Sequence, residues 1–152
     1  KTIVEDSLTL AGYQVRMDQV ERVVEVPPDL PKVRANQNQL QEVLLNLILN
    51  ACQAMGERGG RLALRVTASN GGFVQLQVAD TGPGIPAGKL MKVFDPFYTT
   101  KAAGTGLGLF VTQRIIQQHG GTIEVESAEG QGARFTLRLP LWTEPEQSPI
   151  TT

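Results

Sequence analysis

Cysteine is nearly absent: Cys52 is the single thiol in 152 residues, so no intramolecular disulfide can form and a reducing compartment is permitted. Concentrated positive charge is missing as well. The 14 Lys and Arg are scattered among 15 Asp and Glu, for a formal net charge of -1. Neutralising nucleic-acid phosphates needs clustered cations, so this balance argues against DNA or RNA as a partner. No apolar run approaches the roughly 18 residues of a membrane span, and even residues 44–49 are broken by Asn46. The domain is expected to make no membrane contact of its own. No signal peptide is expected, and a chain starting at Lys1 reads as a piece of a longer polypeptide that can itself be anchored. What is present is sufficient for one domain, because a chain of this length buries roughly two-thirds of its unfolded surface without a disulfide or metal staple.

Hydrophobic spacing lays out the elements. Ile3, Val4, Leu8 and Ala11 recur at helical intervals over residues 3–12, and a β-branched run follows at 20–26. Pro27, Pro28 and Pro31 then punctuate a loop, since proline cannot donate to a ladder and pushes its predecessor out of the α region. From Asn36 to Gly56 the pattern predicts a long helix. Asn36 is its N-cap, with Gln39 three residues on as in a capping box, and Gly56 stands where a C-cap glycine belongs. Leu40, Val43, Leu44, Leu47, Ile48 and Ala51 form its core stripe. Residues 61–68 and 73–79 alternate as strands joined across Asn70-Gly71-Gly72, a hairpin signal. A second amphipathic helix is expected over 106–119, ending at Gly120-Gly121, then strands at 122–127 and 133–139 linked by Gly130-Gln131-Gly132. Residues 91–104 lack helical periodicity and read as a mobile lid. The domain is expected over 1–142, with a disordered polar tail at 143–152. The order implies an α+β two-layer sandwich: a mixed, mostly antiparallel sheet with helices on one face.

Three segments and one helix face carry the chemistry. Asp80-Thr81-Gly82-Pro83-Gly84-Ile85 sets one acid ahead of a glycine turn. Phe94-Asp95-Pro96-Phe97-Tyr98-Thr99-Thr100-Lys101 follows, then Gly104-Thr105-Gly106-Leu107-Gly108-Leu109. Two glycine-rich turns about twenty residues apart point to one ligand gripped twice. The second immediately precedes a helix, whose free amides and positive end suit phosphate oxygens. On the long helix Glu42, Asn46, Asn50 and Gln53 share one face. A buried amide without a partner costs about 1–3 kcal/mol, so asparagines among leucines point to a supplied partner, the alternative being a solvated polar face. Asp80 at a strand end is either a turn cap or a fixed acceptor for a ligand amine.

These motifs, in this order over residues 36–140, resemble the ATP-binding catalytic domain of sensor histidine kinases. That domain belongs to the superfamily that also holds DNA gyrase, the heat-shock chaperone ATPase and the mismatch-repair MutL ATPase. The resemblance implies a Bergerat-type ATP-binding fold with an ATP lid. It implies Asn50 as the Mg²⁺ ligand, Asn46 close to the phosphates, and Glu42 with Asn46 as candidates to assist the acceptor. By the same resemblance Asp80 reads the adenine amine, Gly82 and Gly84 bring backbone to the base, and Ile85 completes that box. Lys101, Gly104, Thr105, Gly106, Leu107, Gly108 and Leu109 are implied around the phosphates, with Thr105 acting through its backbone, while Phe94 and Phe97 pack the lid. Gly130 and Gly132 resemble the third glycine box, which departs from the frequent family pattern by carrying Ala133 where Thr or Ser stands.

His119 is the only histidine, and it precedes Gly120-Gly121 at a helix end, where an imidazole can satisfy terminal carbonyls. In the family the phosphoacceptor histidine lies in a separate dimerisation domain. The resemblance therefore implies a kinase that binds ATP and Mg²⁺ and donates the γ-phosphoryl group to that separate histidine, with a response regulator receiver domain downstream. Its setting would be cytoplasmic, with the parent protein able to be anchored in the inner membrane. A serine kinase or ATPase of the same superfamily, and a nucleotide-sensing interaction module, are the alternatives. The identity of the acceptor separates them.

Overall fold

The computed structural model describes residues 2–14, 19–28, 35–69, 71–90, 92–95 and 108–141. Helix α1 (Thr2–Gln14) precedes strand β1 (Val20–Glu25) and the long helix α2 (Gln37–Met55). Strands β2 (Gly60–Ser69) and β3 (Phe73–Asp80) form the hairpin, followed by a one-turn helix α3 (Ala87–Leu90). Helix α4 (Gly108–Gln118) leads to β4 (Thr122–Ser127) and β5 (Ala133–Pro140). The five strands lie in the order β1-β2-β3-β5-β4, with β1 parallel to β2 and the other neighbours antiparallel. The architecture is the mixed, mostly antiparallel α+β sandwich expected.

Period-two alternation decides what reaches the core. Leu62, Leu64 and Val66 of β2, Val74, Leu76 and Val78 of β3, and Phe135, Leu137 and Leu139 of β5 are buried on one face. Helix α2 covers that face with Val43, Leu44, Leu47, Ile48, Ala51, Cys52 and Met55. Helices α1 and α4 flank α2, and α1 inserts Val4, Leu8 and Ala11. The opposite face is polar: Arg61 pairs with Glu21, Arg65 with Glu25, Arg134 with Glu126 and Arg138 with Glu124. These exposed pairs each contribute at most about 1 kcal/mol.

The caps of α2 carry a finding beyond the pattern. Asn36 Oδ1 accepts from the Gln39 amide at 3.0 Å, the first half of a capping box. The second half is absent in its usual form, because the Asn36 backbone N–H donates instead to His119 Nε2 at 3.0 Å. A residue at the end of α4 thus finishes the start of α2. The end of α4 is itself a Schellman closure, with Gly120 N–H to Gln117 O at 3.0 Å and Gly121 N–H to Ile116 O at 2.9 Å.

Two expectations change. The short helix α3 was not legible in the pattern. The reading of 91–104 as a lid also begins too early: residues 92–95 form a turn whose Val93 is 2 % exposed. Phe94 meets Phe135 edge to face, with ring centroids 6.2 Å apart. Burial of Val93 and the packing of half-buried Phe94 tie the turn to the core. The remainder of that expectation, residues 91 and 96–104, lies outside the described residues, as do Pro31, Asn70 and the 143–152 tail.

Candidate functional site

Asp80 follows Val78 at the next inward position of β3, so strand alternation carries a carboxylate onto the core face; it is 8 % exposed. Its Oδ1 accepts from the Gly82 amide at 2.8 Å, which fixes the carboxylate while a carboxylate offers about four lone-pair positions. Helix α2 lies over this end of the sheet. Burial pushes the Cys52 thiol up from its ordinary value, the Asp80 charge pushes it further, and Arg22 partly offsets both. Cys52 is therefore a buried hydrophobe beside the carboxylate and not a nucleophile.

The 82–84 turn and the 130–132 turn interlock beside Asp80. Gly84, at φ 79°, has no room for a Cβ because the Ala128 carbonyl lies there. Gly132, at φ 84°, is closed in the same way by the Asp80 carbonyl. Ser127 joins the two turns: its Oγ accepts from the Ile85 amide at 2.7 Å and donates to the Gly132 carbonyl at 2.7 Å. Gly130 N–H adds a bond to Pro83 O at 2.6 Å, and the Thr81 hydroxyl accepts from the Arg61 amide at 3.0 Å. The close approach at Gly84 is thus demanded by the fold itself, before any ligand is considered.

On α2, Glu42 and Gln53 are exposed, while Asn46 and Asn50 are half-buried. Asn46 Nδ2 donates to Thr112 Oγ1 of α4 at 3.4 Å. The mixed burial decides between the two readings of this face: its ends are solvated, and its two central amides sit at the edge of the core. An open cleft of about 570 Å³ adjoins the site between the end of α2, the 81–83 turn and the 129–130 turn. Neither asparagine nor Asp80 lines it. Among the described residues no group of three or more His, Cys, Asp or Glu could hold a metal ion.

Residues 35–143 match the model of the histidine kinase-, DNA gyrase B- and HSP90-like ATPases. The chain belongs to that ATPase family. It is 46 % identical over 141 residues to the sensor histidine kinase ZraS of Escherichia coli O157:H7, covering 92 % of this chain and 30 % of that protein. The catalytic domain of histidine kinase ThkA superposes with a TM-score of 0.80 at 32 % identity, covering 92 % of each chain. Full-length ShkA in complex with AMPPNP gives 0.81 at 30 % identity, covering 94 % of this chain and 30 % of that one. The chain therefore spans about 30 % of the length of ZraS.

Within this ATPase domain the expected site residues divide into two groups. Asp80 ends β3 and Gly82, Gly84 and Ile85 form the turn after it, with Gly82 close to the Ala54 backbone near the end of α2; Asn46 and Asn50 stand earlier on that helix. Gly108 and Leu109 open α4, Gly108 exposed and Leu109 half-buried against the core. Lys101, Gly104, Thr105, Gly106 and Leu107 lie outside the described residues. His119 is fully engaged in structure: Nδ1 lies 2.8 Å from the Ile115 carbonyl while Nε2 accepts from Asn36. That pairing selects the neutral tautomer with hydrogen on Nδ1. The sequence reading missed Ser127 and Thr112. Thr112 had a signal, a hydroxyl in the buried stripe that continues with Ile115 and Ile116. Ser127 had none, because its partners come together only through the fold. Among the described residues no helix is long and apolar enough to cross a membrane.

Proposed function

We propose that this ATPase domain holds Mg-ATP between α2 and the 80–85 turn. Its γ-phosphoryl group would go to a histidine on a separate dimerisation domain of the same kinase, from which a response regulator receiver domain takes it. The observation that carries the reading is the fixed, nearly buried Asp80. An acceptor-only carboxylate held by Gly82 bonds the exocyclic amine of adenine and gives no such bond to the carbonyl of guanine. Gly82, Gly84 and Ile85 border the base, while Lys101 and the 104–109 segment serve the phosphates. Asn50 supplies a hard carboxamide oxygen to Mg²⁺. The ion would share its shell with phosphate oxygens and water, which one protein ligand permits. Bound Mg²⁺ would neutralise charge on the phosphates.

The chain's own share of the chemistry is positioning. The Pγ–O bond to the bridging oxygen breaks as the bond to the histidine nitrogen forms, ADP leaves, and most of the rate comes from orientation and charge neutralisation. Glu42 and Asn46 stand on the face of α2 beside Asn50, where they would meet the incoming acceptor. His119 is not that acceptor, since both of its nitrogens are engaged. Incubation with γ-labelled ATP tests the whole scheme. The chain alone should remain unlabelled, and the parent's histidine-bearing domain, added as a separate polypeptide, should acquire acid-labile label. Label on this chain that disappears in His119→Gln would overturn the division of labour.

A further inference from the structure

Polar contacts between the α2 and α4 segments include two of different kinds, one of which is structural closure. Asn36 N–H to His119 Nε2 completes a cap. The other, Asn46 Nδ2 to Thr112 Oγ1 at 3.4 Å, joins a half-buried side chain of α2 to a buried one of α4. Thr112 is 0 % exposed, on the same stripe as buried Ile115 and Ile116. A hydroxyl in such a place carries a desolvation cost that valine, of the same shape, would not.

The amide that Thr112 meets gives a reason for the hydroxyl. A carboxamide is planar, with NH₂ on one branch and C=O on the other, and its terminal torsion is broad when nothing holds it. A hydroxyl that binds Nδ2 in the α2–α4 interface turns Oδ1 to the opposite side. Asn46 then offers the site an acceptor and not a donor. We propose that Thr112 is a positioning residue for Asn46, fixing the orientation in which its Oδ1 faces away from α4. The proposal rests on the reading of Asn46 as a residue beside the phosphates and the acceptor histidine. An oxygen there suits a metal-bound water or the N–H of the incoming imidazole. A freely rotating amide would spend part of its time presenting hydrogens to them. Because α4 begins where the glycine-rich segment ends, the same contact also sets the register of that helix against the asparagine face.

A double-mutant cycle tests it. Thr112→Val removes the acceptor at constant shape, and Thr112→Ser retains it. Transfer from Mg-ATP to the parent's histidine-bearing domain should slow about tenfold in Thr112→Val, with the KM for ATP changed less than about twofold. Thr112→Ser should recover most of the rate. In an Asn46→Ala background Thr112→Val should do nothing further, because the residue it acts through is gone. A readout independent of nucleotide accompanies this: the Asn46 side-chain NH₂ pair in nitrogen-15 spectra should move toward solvent-exposed values in Thr112→Val. If Thr112→Val does not fold, Thr112→Ala removes the same acceptor. Wild-type rates in Thr112→Val, an unmoved NH₂ pair, or effects that multiply with Asn46→Ala would each overturn the proposal for Thr112 alone. Wild-type behaviour of Asn46→Ala would instead overturn the reading of Asn46 and the proposal with it.

Discussion

The backbone carbonyl of Asp80 occupies the space in which residue 132 would carry a side chain, and Gly132 has none. The third glycine turn therefore supports the carboxylate from behind, with Ser127 bonded to both sides of the junction. Any Cβ at 132 must move Asp80 or the turn. Gly132→Ala should accordingly cost about 2–4 kcal/mol, combining the positive φ with backbone overlap. Urea denaturation measures it, and an unchanged midpoint would mean the turn yields without strain. At temperatures where the variant is folded, ATP affinity should fall as well.

Asp80→Asn separates chemistry from support. An asparagine oxygen can still accept from Gly82, so the turn persists, but an NH₂ now opposes the adenine amine. ATP and ADP affinity should drop at least about tenfold with far-ultraviolet dichroism unchanged. Calorimetric titration at wild-type affinity would remove Asp80 from the base site.

Asn50→Ala addresses the metal. The magnesium-dependent gain in ATP affinity should be lost, while much of the metal-free affinity remains, because base and phosphates bind at separate places. Titrations with and without magnesium decide it, and equal dependence in both proteins would reject Asn50 as a ligand.

Ser7 provides a test of the fold alone. It is completely buried in α1, and among the described residues its Oγ has no hydrogen-bond partner. Ser7→Ala removes that unmet group for the loss of one oxygen and should stabilise the domain by about 1 kcal/mol. A lower thermal midpoint in the alanine variant would show that the hydroxyl is satisfied in solution.

What was legible in the chain is what neighbours in sequence decide. The stripe of α2, the Asn36 and Gly56 caps, the 73–80 alternation and the turns at 82–84 and 130–132 follow from spacings of two to four residues, and each appears where the pattern puts it. Asp80 and the asparagines could be singled out because an acid before glycines and amides among leucines conflict with local preference. The contacts that give those residues their settings join distant parts of the chain. Thr112 meets Asn46, His119 meets Asn36 and Ser127 meets Ile85 only once the sheet has ordered itself β1-β2-β3-β5-β4. Val93 was hidden for a related reason, since an isolated apolar residue has no period; Phe94 was expected to pack a lid, and the fold instead sets it against Phe135.

The polar face of the sheet has a consequence for how copies of the protein meet. Its arginines stand on the inner strands β2 and β5, and its glutamates on the two outermost strands, Glu21 and Glu25 on β1 and Glu124 and Glu126 on β4. Both rims are therefore acidic on that face. Two molecules approaching rim to rim would bring glutamate rows together, whichever rims meet, so an unfinished sheet edge that could template aggregation is guarded by like charge.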